Sequence, residues 1–582
     1  MRNASIVCTI GPASGDRRTL RAMADAGMAV ARINASHGSP DEHAEYYERV
    51  RQIDAARPDP VATMLDLGGP EIRTAATETS IELTAGDVVA LEPGDEMDAD
   101  RIGLSGPLPG IETGDRVLFD DGRIETVVTS VAGDRIRVEV ESGGPLGGRK
   151  SVIVPGVDLD LDVVTDADRT AIERAVEADV DFVAASFVRD AEDVYAVGEA
   201  IEAHGDPIPV IAKIERAAAV SALSAIVDAS YGVMVARGDL GVECPMEDVP
   251  IFQKRIIKTC RRAGVPVITA TEMLDSMVHA TRPTRAEASD VANAVLDGTD
   301  AVMLSAETAV GDHPVRVVET MARIVREIER SDEYREVMDR RVPSAKQTPT
   351  RTGALARSAS YLAGDVGASC IVVVTESGYT ALRAAKYRPT VPILAATPSD
   401  RVRRKLALSW GVYPLYVEFA ERRVDAIIED AVGAAIEAGP VESGDTVVVL
   451  SGIMTGLERA STTNMLKVHV AAETLATGTG VVAGRAIGPV AYPEGDAIPA
   501  GAIVAIPRSF DGELSGLVED AAAIVAERPG LTGYAAMVAR ELGIPMVSGA
   551  PIDHLEGGVT VTVDAERGVI YEGAITETSE AT

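Results

Sequence analysis

A chain of 582 residues, 46% of them hydrophobic, is too long for one ordinary domain and has enough aliphatic side chains to fill several cores. Its 90 acidic side chains against 55 basic ones leave a net charge of −35, which excludes a general surface for nucleic acid or anionic membrane. No run approaches the roughly 20 unbroken apolar residues of a membrane span, no basic-then-apolar opening marks a secretory signal, and Cys8, Cys244, Cys260 and Cys370 lack C-x-x-C or disulfide-scaffold spacing, so a cytoplasmic enzyme is expected.

From the start, residues 1–74 and 156–340 alternate strand and helix patterns. Apolar, β-rich segments at 29–33, 61–67, 181–187, 210–214, 231–236, 265–271 and 301–304 are separated by helical patterns such as 17–26, 166–177 and 249–263. That alternation predicts parallel strands joined by helices. With about eight such units, an α/β fold closed as a (β/α)8 TIM barrel is favoured over an open doubly wound sheet, and no G-x-G-x-x-G follows the first strand. Residues 75–155 change to short alternating runs broken by Gly, Asp and Pro, an inserted all-β module expected to form a small β-barrel. A polar, Pro-containing linker is expected at 340–351, an α/β domain over 341–472, and an extra β/α domain over 473–582 ending in the acidic TETSEAT.

Barrel enzymes carry reactive groups at the C-terminal ends of their strands. Those ends here offer Arg32, Asn34 and Ser36, Asp66 and Arg73, Ser186, Lys213 and Glu215, Arg237 and Asp239, Thr271, and Ser305 with Glu307. Any one could be a satisfied structural group, but together they mix cations and carboxylates as phosphate and metal chemistry requires. Lys213 and Glu215 are two apart on a strand and share a face; the carboxylate suits a divalent cation and the ammonium suits developing negative charge. Asp239 adds a hard oxygen donor, and the Gly238–Asp239 turn leaves N–H groups for an anion. Arg32 and Arg73 present planar forks for phosphate, and Asn34, Ser36 and Asp66 are oxygen donors suited to a monovalent cation. Only eight of the 55 basic residues are lysine, and aromatics are 3%. Such a composition suggests either adaptation to concentrated salt, which screens charge repulsion, or a plain acidic soluble protein.

The segments TIGPAS, AGMAVARINASHG, GPEIRT, LGGRKSVIVPG, IAKIE, MVARGDLG, TATEML, RPTRAEASDVANAVLDGTDAVMLSAETAVGDHPV and TESGYTALRAAKYRP occur in order across 5–470. Together they resemble pyruvate kinase, which moves the phosphoryl group of phosphoenolpyruvate to ADP, giving pyruvate and ATP. The resemblance implies that Arg32 binds the substrate phosphate, with Gly238, Asp239 and Thr271 holding the rest of the substrate. Lys213 would stabilise the transition state, and the enolate would be protonated through Thr271 or water. Glu215 and Asp239 would bind Mg²⁺ or Mn²⁺, and Asn34, Ser36, Asp66 and the Leu67 carbonyl would bind K⁺. Asn34, Ala35, Ser36, His37, Arg73 and Lys150 would contact the nucleotide. The all-β insert would be a lid closing over the phosphates, and a homotetramer is expected. The turn containing Thr375, Ser377, Gly378 and Thr380 matches the region the family uses for phosphorylated effectors; a purely structural turn is the alternative.

Two departures lie near the site. Where the family often has DTKGPEIR, this chain has Asp66, Leu67, Gly68, Gly69 and then Pro70 to Arg73, and Glu272 stands where Gln is frequent. The run 144–151 (GPLGGRKS) only superficially resembles a P-loop, because a β-like segment follows instead of a helix. Residues 473–582 are similar to the swivelling phosphohistidine domain of phosphoenolpyruvate-utilising enzymes, but Tyr534 occupies the position of the phosphorylated histidine. A structural or assembly role is therefore expected there. The competing readings are a Mg²⁺-dependent lyase or a phosphohistidine synthetase on the same barrel, and a non-catalytic relative.

Overall fold

The computed structural model describes residues 1–77, 79–340, 350–419, 424–452, 463–493, 498–514 and 516–575. Most of the linker expected at 340–351 and all of the acidic tail at 576–582 lie outside the described residues. The chain divides into two compact units, one chiefly Met1–Ser360 with Thr375–Tyr416, the other Tyr361–Val374, Val417–Ile453 and Asn464–Thr582.

In the first unit eight parallel strands close into a barrel: β1 (Ser5–Thr9), β2 (Val30–Asn34), β3 (Ala62–Asp66), β4 (Phe182–Ala185), β5 (Val210–Ile214), β6 (Gly232–Ala236), β7 (Val267–Ala270) and β8 (Ala301–Leu304). Each lies beside its neighbour in sequence, and β8 returns to β1 with Ala301 next to Ser5. The strands read as near-continuous apolar runs because both faces are buried. Val7, Val30, Met64, Phe182, Ile211, Met234, Ile268 and Met303 cluster in the barrel interior, while alternating residues such as Ile6, Cys8 and Val302 pack in the layer shared with the helices. Full burial of a side chain such as Phe182 stabilises by roughly 1.5–3 kcal/mol relative to exposure.

Helix starts are set locally. Ser39 with Glu42, Thr165 with Asp168, and Thr284 with Glu287 form reciprocal capping boxes that satisfy N–H groups at the first turn. The helix Arg17–Ala26 ends at Gly27, whose φ of +117° a side chain would resist and whose N–H reaches the Met23 and Ala24 carbonyls. At the N-terminal end of the barrel, helix Asp400–Leu406 is tied on by ion pairs, those to Asp54 and Asp181 buried. Arg403 meets Asp54 at 2.9 Å, and Arg404 meets Asp181 at 2.8 Å and Asp179 at 2.9 Å.

Between β3 and β4 the chain makes a seven-stranded sheet, with outer strands Ile72–Arg73 and Arg101–Leu104. Those edges meet at a Thr74–Leu104 bridge, and the Ser105 N–H donates to the Arg73 carbonyl at 2.8 Å, so the sheet curls toward closure as expected of a small barrel. Its core is aliphatic with one ring, Phe119.

The second unit holds the parallel pair Cys370–Val374 and Thr446–Ser451, with Met465–Val470 antiparallel to the latter. It also holds an eight-stranded mixed sheet over 474–572 and the helix Tyr534–Leu542. Tyr534 begins that helix, half exposed, and its hydroxyl accepts the Leu514 N–H at 3.3 Å. Among the described residues no helix is long and apolar enough to cross a membrane, and all four cysteines are buried and free.

Candidate active site

Asn34 and Asp66 end β2 and β3 in register, Ser186 follows β4, and Lys213 and Glu215 lie at the end of β5. Asp239 sits in the short helix Arg237–Glu243 directly after β6, and Thr271 follows β7. With Arg32 on β2, parallel strands thus bring eight side chains, from positions 32 to 271, to one rim.

Four of them form a continuous ionic chain. The Arg32 Nε donates to Asp66 Oδ2 at 2.6 Å and its Nη1 to the Thr9 hydroxyl at 2.8 Å. Lys213 Nζ stands 3.2 Å from Asp66 Oδ1, 2.8 Å from Glu215 Oε1 and 2.7 Å from the Ser186 hydroxyl. Ser186 in turn donates to the Leu67 carbonyl at 2.7 Å, and the second Glu215 oxygen accepts the Phe187 N–H at 2.7 Å. Burial opposes every charge here, but pairing decides the outcome. Arg32 and Lys213 outweigh desolvation and hold the Asp66 carboxyl below its usual range, while Asp66 and Glu215 likewise raise Lys213, keeping it an ammonium.

Asp239 differs. Burial first, then the Glu215 carboxylate, with Asp121 and Glu71 adding, push its carboxyl up to about 7 against the opposing pull of Lys213. A wall of hard anionic oxygens with too little positive charge suits a divalent cation. Among the described residues no group of three or more His, Cys, Asp or Glu side chains is arranged to hold a metal. Two carboxylates would therefore leave most of a Mg²⁺ shell to water and substrate oxygens, as that ion prefers. The turns after β2 and β3 also close on each other: a Cβ on Gly68 would stand 3.3 Å from the Ser36 hydroxyl. Asn34 Oδ1 accepts the Ser36 N–H at 3.1 Å and keeps further acceptor capacity.

The Gly238 N–H donates to the Thr271 hydroxyl at 2.8 Å, and that hydroxyl donates to the Ala270 carbonyl at 2.7 Å. Phe187, Thr271 and Glu272 all have positive φ, at 57°, 66° and 54°, a conformation that costs a non-glycine residue and is held by surrounding contacts. Arg237 supplies one such contact, donating to the Thr271 carbonyl at 2.8 Å while paired with Asp290 at 2.7 Å. Glu307 is buried and accepts the Ser305 and Leu274 N–H groups, so it is engaged with backbone.

Arg73 and Lys150 come together in the insert. Ser151 is in register with Arg73, whose Nη1 donates to the Arg149 carbonyl at 3.0 Å. Each cation has its own carboxylate, Arg73 with Glu71 at 2.6 Å and Lys150 with Asp120 at 2.7 Å. His37 lies at the surface beside two cations, and partial desolvation followed by Arg73 and Arg32 lowers its imidazole pKa; Ala35 lies in the same turn, its N–H on the Asp66 carbonyl. A cleft separates insert from barrel, lined by Glu71, Val152, Val154, Glu215, Asp239 and Glu243.

The Thr375–Thr380 turn has its own contacts. The Gly378 N–H donates to Thr375, the Tyr379 N–H to Ser377, and Thr380 pairs with Thr463 at 2.8 Å. None of these involves a barrel-mouth residue. Thr9, Asp121 and Asp168 were not singled out from sequence. Asp168 accepts the Gly68 and Gly69 N–H groups at 3.0 and 3.3 Å and fixes the turn after β3; its capping motif TDAD was the available signal.

Comparison with known proteins gives three family matches in chain order: the barrel domain of pyruvate kinase over residues 1–318, its alpha/beta domain over 353–469, and the mobile domain of PEP-utilising enzymes over 498–568. The chain is 42% identical to the pyruvate kinase of Geobacillus stearothermophilus, 40% to that of Bacillus licheniformis and 39% to that of Sporosarcina psychrophila. Each alignment covers 98% of this chain and 99% of the relative.

Proposed function

This chain belongs to the pyruvate kinase family, and on that premise we propose how its barrel mouth moves the phosphoryl group of phosphoenolpyruvate onto ADP. The reading rests on one observation, the Arg32–Asp66–Lys213–Glu215 chain at the strand ends. Arg32, steadied by Asp66 and Thr9, grips the phosphate that leaves phosphoenolpyruvate. Lys213 stays charged and faces the oxygen on which negative charge grows as the enolate forms, so its attraction is strongest in the transition state. Glu215 and Asp239 hold a divalent cation, and Asn34, Ser36, Asp66 and the Leu67 carbonyl hold K⁺. When bound, these ions neutralise charge on the transferring group and its neighbours. The Gly238 and Asp239 main chain and the Thr271 hydroxyl orient the substrate carboxylate, and the enolate carbon takes its proton through Thr271 or water. Asn34 to His37, Arg73 and Lys150 bind ADP, and closing the insert over the cleft keeps water from accepting the phosphoryl group.

Transfer of this kind asks for positioning and charge stabilisation more than covalent chemistry. Lys213→Met tests the assignment. Phosphoenolpyruvate binding should change little, while kcat falls about 10²–10³-fold, the loss seen when one preorganised donor is removed. A kcat within tenfold of wild type would remove Lys213 from the mechanism.

A further inference from the structure

At the N-terminal ends of β7 and β8 lies a second cavity, lined by Arg261, Asp300, Lys386, Arg388 and Ser409 among others. In a chain of net charge −35, this lining holds three cations and a single carboxylate. That carboxylate is fully engaged. Asp300 Oδ1 takes Arg388 Nη2 at 3.0 Å and the Trp410 N–H at 3.3 Å, and Oδ2 takes the Val267 N–H at 2.9 Å.

The donors are not all engaged. The Arg388 side chain is 3% exposed; its Nη2 also reaches the Gly298 carbonyl at 3.0 Å, but Nε and Nη1 have no hydrogen-bond partner. Its planar face rests on the Trp410 ring at 4.6 Å, which fixes the guanidinium without satisfying those N–H groups. The Ser409 hydroxyl, 2% exposed, is likewise unpartnered. Lys386 is half-buried, and the charge that acts on it is another cation, Arg383. Buried donors left unmade and like charges left unopposed are both costly. One ligand relieves both: an anion that accepts hydrogen bonds from several directions.

We propose that this cavity binds a small phosphate-bearing anion, held by Arg388, Lys386 and Ser409. Arg388 and Lys386 together favour a dianion over a monocarboxylate. The site is separate from the barrel mouth and from the Thr375–Thr380 turn, and it does not depend on the mechanism assigned above.

The test is calorimetric titration of the full-length protein with glycerol 3-phosphate and with inorganic phosphate, at constant ionic strength set with chloride. Wild type is compared with Lys386→Met and Ser409→Ala, which isolates this cavity from any other phosphate-binding position. Wild type should bind one equivalent that Lys386→Met binds about tenfold more weakly, with kcat and KM for phosphoenolpyruvate unchanged when no probe is present. Tighter binding of glycerol 3-phosphate identifies an ester as the ligand, and equal binding identifies free phosphate. Tungstate soaked into crystals gives a readout independent of the variants' folding, with an anomalous peak beside Arg388 expected. Identical titrations of wild type and both variants, or tungstate bound only elsewhere, would overturn the proposal.

Discussion

With Asp239 as a metal ligand, as proposed above, its raised carboxyl should make divalent-ion binding depend on pH near neutrality. Its value of about 7 comes first from burial and then from Glu215; a metal competes with the proton for the same oxygens. The carboxyl is about half ionised at pH 7, about a tenth at pH 6 and about a hundredth at pH 5. Apparent affinity for Mn²⁺ in the absence of substrates should therefore fall about fivefold from pH 7 to 6 and about tenfold from pH 6 to 5. The same value fixes a sign for stability. The folded, metal-free protein keeps this proton up to about pH 7, whereas the unfolded chain releases it near pH 3.9. This group's contribution thus declines as pH climbs through that window. Added divalent ion should accordingly raise the melting temperature more at pH 8 than at pH 6. Mn²⁺ titrations followed by electron paramagnetic resonance at fixed ionic strength give the profile, and Asp239→Asn should flatten it while weakening binding. A wild-type affinity independent of pH between 5.5 and 8 would refute the reasoning.

Two further outcomes follow from the same geometry. On the proposed reading a monovalent cation is held by Asn34, Ser36, Asp66 and the Leu67 carbonyl. Replacing K⁺ with a large organic cation at equal ionic strength should cut turnover on the order of tenfold or more, and undiminished turnover would exclude the site at Asn34, Ser36, Asp66 and Leu67. Truncation after residue 473 should preserve the ADP-dependent reaction while changing assembly or stability. Tyr534, a phenol with pKa about 10, is a poor substitute for a phosphate-accepting imidazole, so labelled phosphoenolpyruvate should leave no acid-labile phosphate on the removed domain. Finding it on His554 would contradict this.

The parallel barrel was legible because strands buried on both faces repeat as apolar runs between amphipathic helices. Arg32, Asp66, Lys213 and Glu215 could be picked out because charged residues at the ends of such runs have no packing reason to be there. Their mutual contacts could not be read, since each joins strands brought together only by closure; Ser186, between Lys213 and the Leu67 carbonyl, is the clearest case. Thr9 under Arg32 and Asp168 beneath Gly68 were hidden for the same reason. Lys150 stood out as one of few lysines, but its pairing with Asp120 depends on a register within the insert that short alternating strands do not specify. The buried Arg403 and Arg404 pairs also escaped notice, because a basic run on a helix usually reads as a solvated face.

The most direct test of the central claim is the rate of pyruvate formation from phosphoenolpyruvate, followed with Mg²⁺ and K⁺ present, with and without ADP, while ATP is measured in parallel. Pyruvate should appear only when ADP is supplied, with ATP formed in equal amount. Pyruvate released at the same rate without ADP, or none released with every component present, would contradict the assignment of this barrel mouth to phosphoryl transfer.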